Sequence, residues 1–366
     1  MLNNKTIAVV VPAFNEEKQI SRVIETMPEF VDRIVVVNDS SKDKTAEIVE
    51  RYIKNENRET VEIKSILKEV LDDEYNKAEQ ILQKKLKDEI VDFTPSKIIN
   101  QTPEKERIIL INQQKNTGVG GAISRGYKWC KDYGIDCIAV MAGDGQMDPT
   151  ELKSICKPVV EEDIDYVKGN RLIHRSAWFV IPKIRYLGNS ILSILTKVAS
   201  GYWHVSDTQT GYTAISNKAL NSINIAKIYK SYGMPNDMLV RLNIAFCTIK
   251  EVEIKPVYDI GEKSKMNIFW VIPRISWLLF FSFFKRLWVK YLFRDFHPLF
   301  LLYNFAFVLF ILDIPLAINL IEKALVTGIK SSNQDVLVFI FLFISGFQSL
   351  LFAMWMDIQD NERLYK

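Results

Sequence analysis

Short, branched, apolar runs at residues 6–11, 33–38, 108–112 and 137–141 stand out from a mixed chain, with apolar residues at helical spacing between the first two and after the third. This alternation predicts an α/β domain with a mostly parallel sheet wrapped by helices. Such sheets hold ligands beyond the carboxyl ends of their strands, so the residues after each run are where chemistry is expected. The pattern changes at residues 55–107, a stretch dense in Lys and Glu. There Ile66, Val70, Leu71, Ala78, Ile81, Leu82, Leu86 and Ile90 recur at helical spacing and predict an inserted helical hairpin, read as a solvated surface elaboration.

The last quarter of the chain has another character. Residues 299–321 carry one acidic or basic side chain, Asp313, and residues 336–356 carry none. About 20 apolar residues cross a bilayer core as a helix, so two membrane spans are expected within 299–356. Residues 267–298 mix Trp270, Trp277, Trp288 and Tyr291 with Arg274, Lys285, Arg286, Lys290 and Arg294, which suits the headgroup layer and predicts one or two interfacial helices. Basic residues crowd the entry to the first span, whereas the loop at 322–335 has Lys323 and Lys330 against two acids. By the positive-inside tendency, residues 1–266, the tail at 357–366 and both termini are expected on the cytoplasmic side of an integral, two-span protein. Asp313 is costly in lipid and should face the other helix, water or a second subunit, which leaves a homo-oligomer through the spans open.

Composition narrows the classes. At 366 residues, 48% hydrophobic and 25% charged, the chain is a folded protein, and its +3 net charge, spread over mixed signs, excludes a nucleic-acid partner from the expectation. The 4 cysteines form no C-x-x-C pair and there are 3 histidines, so structural zinc is not expected and the thiols read as buried and reduced. The apolar stretch before Pro12 is shorter than a signal-peptide core of about 7 to 15 residues.

The strand ends carry the chemistry. Pro12-Ala13-Phe14-Asn15-Glu16-Glu17 follows the first run and Asn38-Asp39-Ser40-Ser41-Lys42-Asp43 the second. Carboxylates there can accept hydrogen bonds from a base or a ribose, or can cap helices. Asn116-Thr117-Gly118-Val119-Gly120-Gly121 is a glycine-rich turn that lets backbone approach a ligand, without the Lys and Ser/Thr of a Walker loop. In Met141-Ala142-Gly143-Asp144-Gly145-Gln146, the side chains of Asp144 and Gln146 lie two apart and can share one hard cation with diphosphate oxygens and water.

Taken in this order, the four segments resemble family 2 glycosyltransferases with their nucleotide-diphospho-sugar transferase (GT-A, Rossmann-like) fold, from about residue 6 to 265 apart from the insertion. Val167-Lys168-Gly169-Asn170-Arg171, Arg185-Tyr186-Leu187-Gly188-Asn189 and Asp207-Thr208-Gln209-Thr210-Gly211-Tyr212 look most like the polyprenyl-phosphate (dolichyl-phosphate) sugar synthases, among which two carboxy-terminal spans also occur. The resemblance implies that Pro12, Ala13, Glu16 and Asp39 hold the nucleoside, and that Gly118, Gly120 and Gly121 shape the floor beneath it. It implies further that Ala142, Gly143 and Asp144 meet the donor, that Asp144 and Gln146 hold Mg or Mn, and that Arg171 and Arg185 hold the lipid phosphate. Lys263, Ser264 and Lys265 match a lid segment over the diphosphate. Ala142 departs from the family's D-x-D pattern, whose first acid it replaces.

The implied activity is inverting transfer of a sugar from a UDP- or GDP-sugar to polyprenyl phosphate at the cytoplasmic face. A phosphate monoester with a second pKa of about 6 is already largely ionised at neutral pH, so no strong base is needed. Asp237 sits where relatives with hydroxyl acceptors place a base and is read as an orienting or structural residue. Another membrane glycan or lipid acceptor, or a silent scaffold that lost its metal at Ala142, are the alternatives.

Overall fold

The computed structural model describes the chain except residues 57, 59, 68–72, 258–267 and 328–330, and the side chains of 74, 184, 185, 268–270, 326 and 327 are also outside the description. The strands are β1 (Ile7–Ala13), β2 (Arg33–Asn38), β3 (Ser96–Ile98), β4 (Ile108–Gln113), β5 (Cys137–Val140), β6 (Tyr166–Asn170), β7 (Thr213–Ser216) and β8 (Ile249–Glu253). They form an 8-stranded sheet in the order β3-β4-β2-β1-β5-β7-β6-β8. Strand β1 pairs parallel with β2 and β5, β2 with β4, and β6 with β8, while β3 and β7 run antiparallel to their neighbours. The expected parallel sheet is thus present, with antiparallel β7 set between β5 and β6.

Helices α1 (Ile20–Glu25), α2 (Thr45–Asn55), α3 (Lys77–Asp88), α4 (Val119–Asp132), α5 (Leu152–Glu161), α6 (Ala177–Val180), α7 (Lys183–Ser200), α8 (Asn217–Ser222) and α9 (Met234–Ile244) fill the connections. The period-2 geometry of β1 sends Ile7, Val9 and Val11 to a core with Ile20, Leu152 and Ile155, and Ala8 and Val10 to a second core with Ala122, Tyr127 and Leu239. A strand buried on both faces needs a continuous apolar run, which is why this segment reads Ile-Ala-Val-Val-Val.

The insertion departs from the expected hairpin. Among its described residues it supplies one α-helix, α3, and the edge strand β3, which pairs with β4. Ile81 and Leu82 are exposed on α3, and Val70 and Leu71 lie outside the described residues. Lys131 of α4 anchors the segment by an ion pair to Glu89 at 3.0 Å. A strand of three residues, one of them apolar, gives too little periodic signal to be read from sequence.

Helix α10 (Ile268–Trp288) continues through Pro273. In the second turn, proline forgoes one backbone bond and the helix tolerates it. A π-helical turn, Val289–Arg294, leads to α11 (Pro298–Glu322), and α12 (Asn333–Glu362) packs against α11. The last two are long and apolar enough to cross a membrane. The tail at 357–366 starts within α12 and ends docked on the sheet. Ile249 N donates to Leu364 O at 2.7 Å and Lys366 N donates to Ile249 O at 2.9 Å, so the segment after α12 extends the sheet beyond β8.

Helix α7 is inverted relative to a soluble amphipathic helix. Ser193, Thr196 and Ser200 face inward and are buried, while Leu187, Ile191, Ile194 and Leu195 form an exposed stripe. Trp178 and Phe179 of α6, the latter 86% exposed, continue that stripe in the chain before α7.

Candidate active site

A cleft of ≈ 1030 Å³ opens beyond the carboxyl ends of the central strands. Pro12, Ala13, Glu16, Asp39, Gly118, Ala142, Gly143, Asp144, Gln146 and Arg171 all line it. Segments distant in sequence meet here because adjacent parallel strands end at the same edge.

Two strand-end loops lock each other. Asn15, at φ 55, donates from its backbone N to Ser41 Oγ at 3.0 Å and accepts from Lys42 N at 2.8 Å. Glu16 N donates to Thr45 Oγ1 at 2.9 Å. Asp39 ties the second strand end to the glycine-rich turn: it accepts from Thr117 N at 2.7 Å, Thr117 Oγ1 at 3.0 Å and Gly118 N at 2.8 Å. Burial raises the pKa of this carboxyl group, and those hydrogen bonds oppose the rise.

Gly118, at φ 78, lines the cleft, but Gly120 and Gly121 do not. A Cβ at Gly120 would lie 2.0 Å from Tyr229 O, and one at Gly121 would lie 2.3 Å from Thr117 Oγ1. Of the three glycines expected to shape a ligand floor, the latter two let the first turn of α4 pass tightly under neighbouring chain.

At the end of β5, Gly143 N donates to Pro12 O at 3.2 Å, and Gln146 N donates to Asp144 Oδ1 at 3.0 Å. Among the described residues, no three His, Cys, Asp or Glu side chains come together as a metal nest. The protein's own donors here are one carboxylate and one amide, beside the methyl group of Ala142. That set fits a hard cation that shares its remaining positions with phosphate oxygens and water, the usual habit of Mg, rather than an all-protein cage.

Across the cleft, Arg171 is held by buried Asp207. Nε donates to Oδ2 at 2.8 Å, Nη2 to Oδ1 at 3.0 Å, and the backbone N to Oδ2 at 3.1 Å. Burial, the largest single influence, raises the pKa of Asp207, but the charge and hydrogen bonds of Arg171 together with the charge of Lys168 outweigh it and hold the carboxyl group below its ordinary range. Such a two-point pair fixes the plane of the guanidinium. Arg185 falls in the first turn of α7, with its side chain outside the described residues, and Lys263, Ser264 and Lys265 lie wholly outside them.

Asp237 does not line the cleft. Its Oδ2 accepts from Tyr229 N at 2.9 Å and from Arg241 Nε at 2.6 Å, so it braces the segment whose Ser231 and Tyr232 do reach the cleft. Its place at the start of α9 turns it toward that segment. Gln209, Asn189, Ser231 and Tyr232 are lining residues that sequence reasoning gave no role. Gln209 and Asn189 lie in motifs visible in the sequence, whereas Ser231 and Tyr232 have no comparable signal. The remaining wall is apolar: Leu192 of α7 with Val271, Ile272 and Ile275 of α10.

The profile described as Glycosyl transferase family 2 matches residues 8–69 and 64–223. A UDP-N-acetylglucosamine–dolichyl-phosphate N-acetylglucosaminyltransferase of Methanococcus voltae is 27% identical over 256 residues, 70% of this chain and 87% of that protein. A dolichyl-phosphate beta-glucosyltransferase of Trichomonas vaginalis is 24% identical over 300 residues, 77% of this chain and 74% of that protein. Among solved structures, glucosyl-3-phosphoglycerate synthase of Mycobacterium tuberculosis aligns with a TM-score of 0.45 at 16% identity, covering 77% of this chain and 80% of that one. With the family profile spanning more than half of its length on a mixed GT-A sheet, the chain belongs to glycosyltransferase family 2 and is a glycosyltransferase.

Proposed function

We propose that the protein transfers a sugar from a nucleotide-diphosphate donor to a polyprenyl phosphate, such as dolichyl phosphate, at the cytoplasmic face of a membrane. One observation carries this reading: the cleft pairs a polar wall, from Glu16 and Asp39 to Asp144 and Arg171, with an apolar wall of Leu192, Val271, Ile272 and Ile275. An acceptor with an anionic head and a hydrocarbon tail matches both walls.

Each group has a task in that reading. Pro12, Ala13, Glu16 and Asp39 receive the nucleoside, with Gly118 allowing close approach, and Ala142, Gly143 and Asp144 meet the sugar diphosphate. Asp144 and Gln146 would hold a divalent cation, Mg or Mn, which supplies positive charge at the departing diphosphate. Arg171, fixed by Asp207, orients the attacking phosphate, with Arg185 assigned to the same anion and Lys263, Ser264 and Lys265 to a closing lid. Because the nucleophile is already ionised, orientation and charge placement are what the residues must provide, and a single in-line displacement inverts the anomeric centre. A UDP-sugar is favoured over a GDP-sugar by the donor that the name of the Methanococcus voltae relative carries.

The membrane part supports the same reading. Helix α12 leaves Leu337, Phe341 and Ile344 exposed, an apolar surface that lipid would cover. Docking of Leu364 to Lys366 on β8 returns the end of the hairpin to the side of the catalytic domain, and the basic residues before α11 favour the cytoplasm. The test is incubation of membranes containing the protein with polyprenyl phosphate and radiolabelled UDP- or GDP-sugars. A labelled lipid-phosphate sugar that D144A fails to make is expected. Transfer to some other lipid or glycan, with none to polyprenyl phosphate, would reject the proposal.

A further inference from the structure

Lys168 sits on β6 with no exposed surface, beneath the cleft rather than in it. Its Nζ donates to Thr210 O at 2.8 Å and to Thr208 O at 3.4 Å, the carbonyls on either side of cleft-lining Gln209. The same loop is held through its N–H groups by Glu251: Ser206 N donates to its two oxygens at 3.0 and 2.9 Å, and Asp207 N donates to Oε1 at 3.0 Å. Lys168 and Glu251 face one another in the parallel register of β6 and β8. Between these two grips the loop presents Asp207 to Arg171 and Gln209 to the cleft.

We propose that Lys168 is a positioning residue for the acceptor, acting through the 207–210 loop to fix Arg171 and Gln209. The inference rests on the reading that Arg171 receives the acceptor phosphate. An ammonium group inside a sheet is costly to desolvate, and an unbranched apolar side chain would fill the same space without that cost. What an apolar side chain cannot do is hold two carbonyls at once. Burial pushes Lys168 down to about 8, against the pull of Asp207 and Glu251 and with the push of Arg171.

The experiment compares K168M and R171Q with wild type in full-length protein in lipid nanodiscs. It reads the KM for undecaprenyl phosphate, kcat, and the Kd for the nucleoside diphosphate, UDP or GDP, that wild type binds. K168M is expected to raise acceptor KM at least tenfold while the nucleotide Kd stays within twofold, and R171Q to raise acceptor KM as well. If R171Q raises it and K168M leaves it unchanged, the positioning role falls alone. An acceptor KM unaffected by R171Q removes the acceptor reading and this inference with it. Should K168M fail to accumulate as folded protein, E251Q tests the other grip on the loop. A threefold or greater rise in acceptor KM supports the proposal, and an unchanged value overturns it.

Discussion

Arg286 of α10 and Asp357 of α12 form a two-point pair, Nη1 to Oδ1 at 2.7 Å and Nη2 to Oδ2 at 2.8 Å, with both side chains fully buried. The same guanidinium donates through Nε to Ala199 O at 2.9 Å and through Nη2 to Val198 O at 3.1 Å, meeting the unpaired carbonyls at the end of α7. One side chain thus joins α7 of the α/β domain, α10 and α12. Removing one partner strands a buried charge, at a cost of about 3–5 kcal/mol. D357A is expected to lower the unfolding temperature in detergent sharply, and R286M/D357L to recover part of the loss. A D357A protein as stable as wild type would show that the pair does not hold the junction together.

Lys290 adds a pH dependence to that junction. Its Nζ donates to Asn361 Oδ1 at 2.6 Å and Asn243 Oδ1 at 3.0 Å, and lies 3.3 Å from Asp360. Burial pushes it down to about 8, despite Asp360, whereas an unfolded lysine titrates near ~10.4. Between those values the unfolded chain binds the proton and the folded chain does not, so this group's contribution to stability rises with pH across the window. The gain is at most about 3 kcal/mol, from ~1.4 kcal/mol per pH unit. Unfolding measured from pH 7 to 11 should show wild type gaining stability relative to K290M; a constant difference would contradict the assignment.

Where the family's D-x-D pattern has two acids, Ala142 leaves Asp144 as the carboxylate assigned to the proposed cation, next to the amide of Gln146. A142D places a second carboxylate by the proposed cation and is expected to lower the Mg or Mn concentration for half-maximal activity about tenfold, since carboxylate count sets affinity for hard cations. D144A is expected to lower turnover at least a hundredfold, in line with the loss of one preorganised electrostatic group. Metal titration of the initial rate reads both. A metal requirement that neither substitution moves would place the cation elsewhere.

How much of this was legible in sequence depends on whether the signal was local. Pro12, Asp39 and Asp144 could be found because each follows a branched apolar run that reads as a strand, and parallel strands bring their ends to one edge. Gly120 could not be separated from Gly118, because its approach to Tyr229 O joins segments far apart in the chain. The partners of Asp237 were hidden for the same reason: Arg241 and Tyr229, not its motif, decide where it points. Helical periodicity in 183–200 predicts two faces but not which one is buried, and α7 buries the side with Ser193 and Thr196. The docking of Leu364 to Lys366 on Ile249 leaves no periodic trace in so short a segment.

That inverted face of α7 yields a last expectation. Leu192 lines the cleft from one side of the helix, while Leu187 and Ile194, each 63% exposed, lie on its outer stripe. Because the outer side chains make few protein contacts, L187E/I194E should change protein stability by less than about 1 kcal/mol. In the proposed function the stripe rests in the bilayer, where burying apolar surface is worth about 25 cal/mol per Å², and two carboxylates there would lift the mouth of the cleft away from lipid. Nucleoside diphosphate affinity should stay within twofold of wild type, whereas turnover of undecaprenyl phosphate in nanodiscs should fall at least tenfold. A short-chain, water-soluble polyprenyl phosphate presented in detergent should restore most of the difference, because that acceptor need not be drawn from a membrane. An equal loss with both acceptors would instead mean that the substitutions disturb the cleft itself through Leu192.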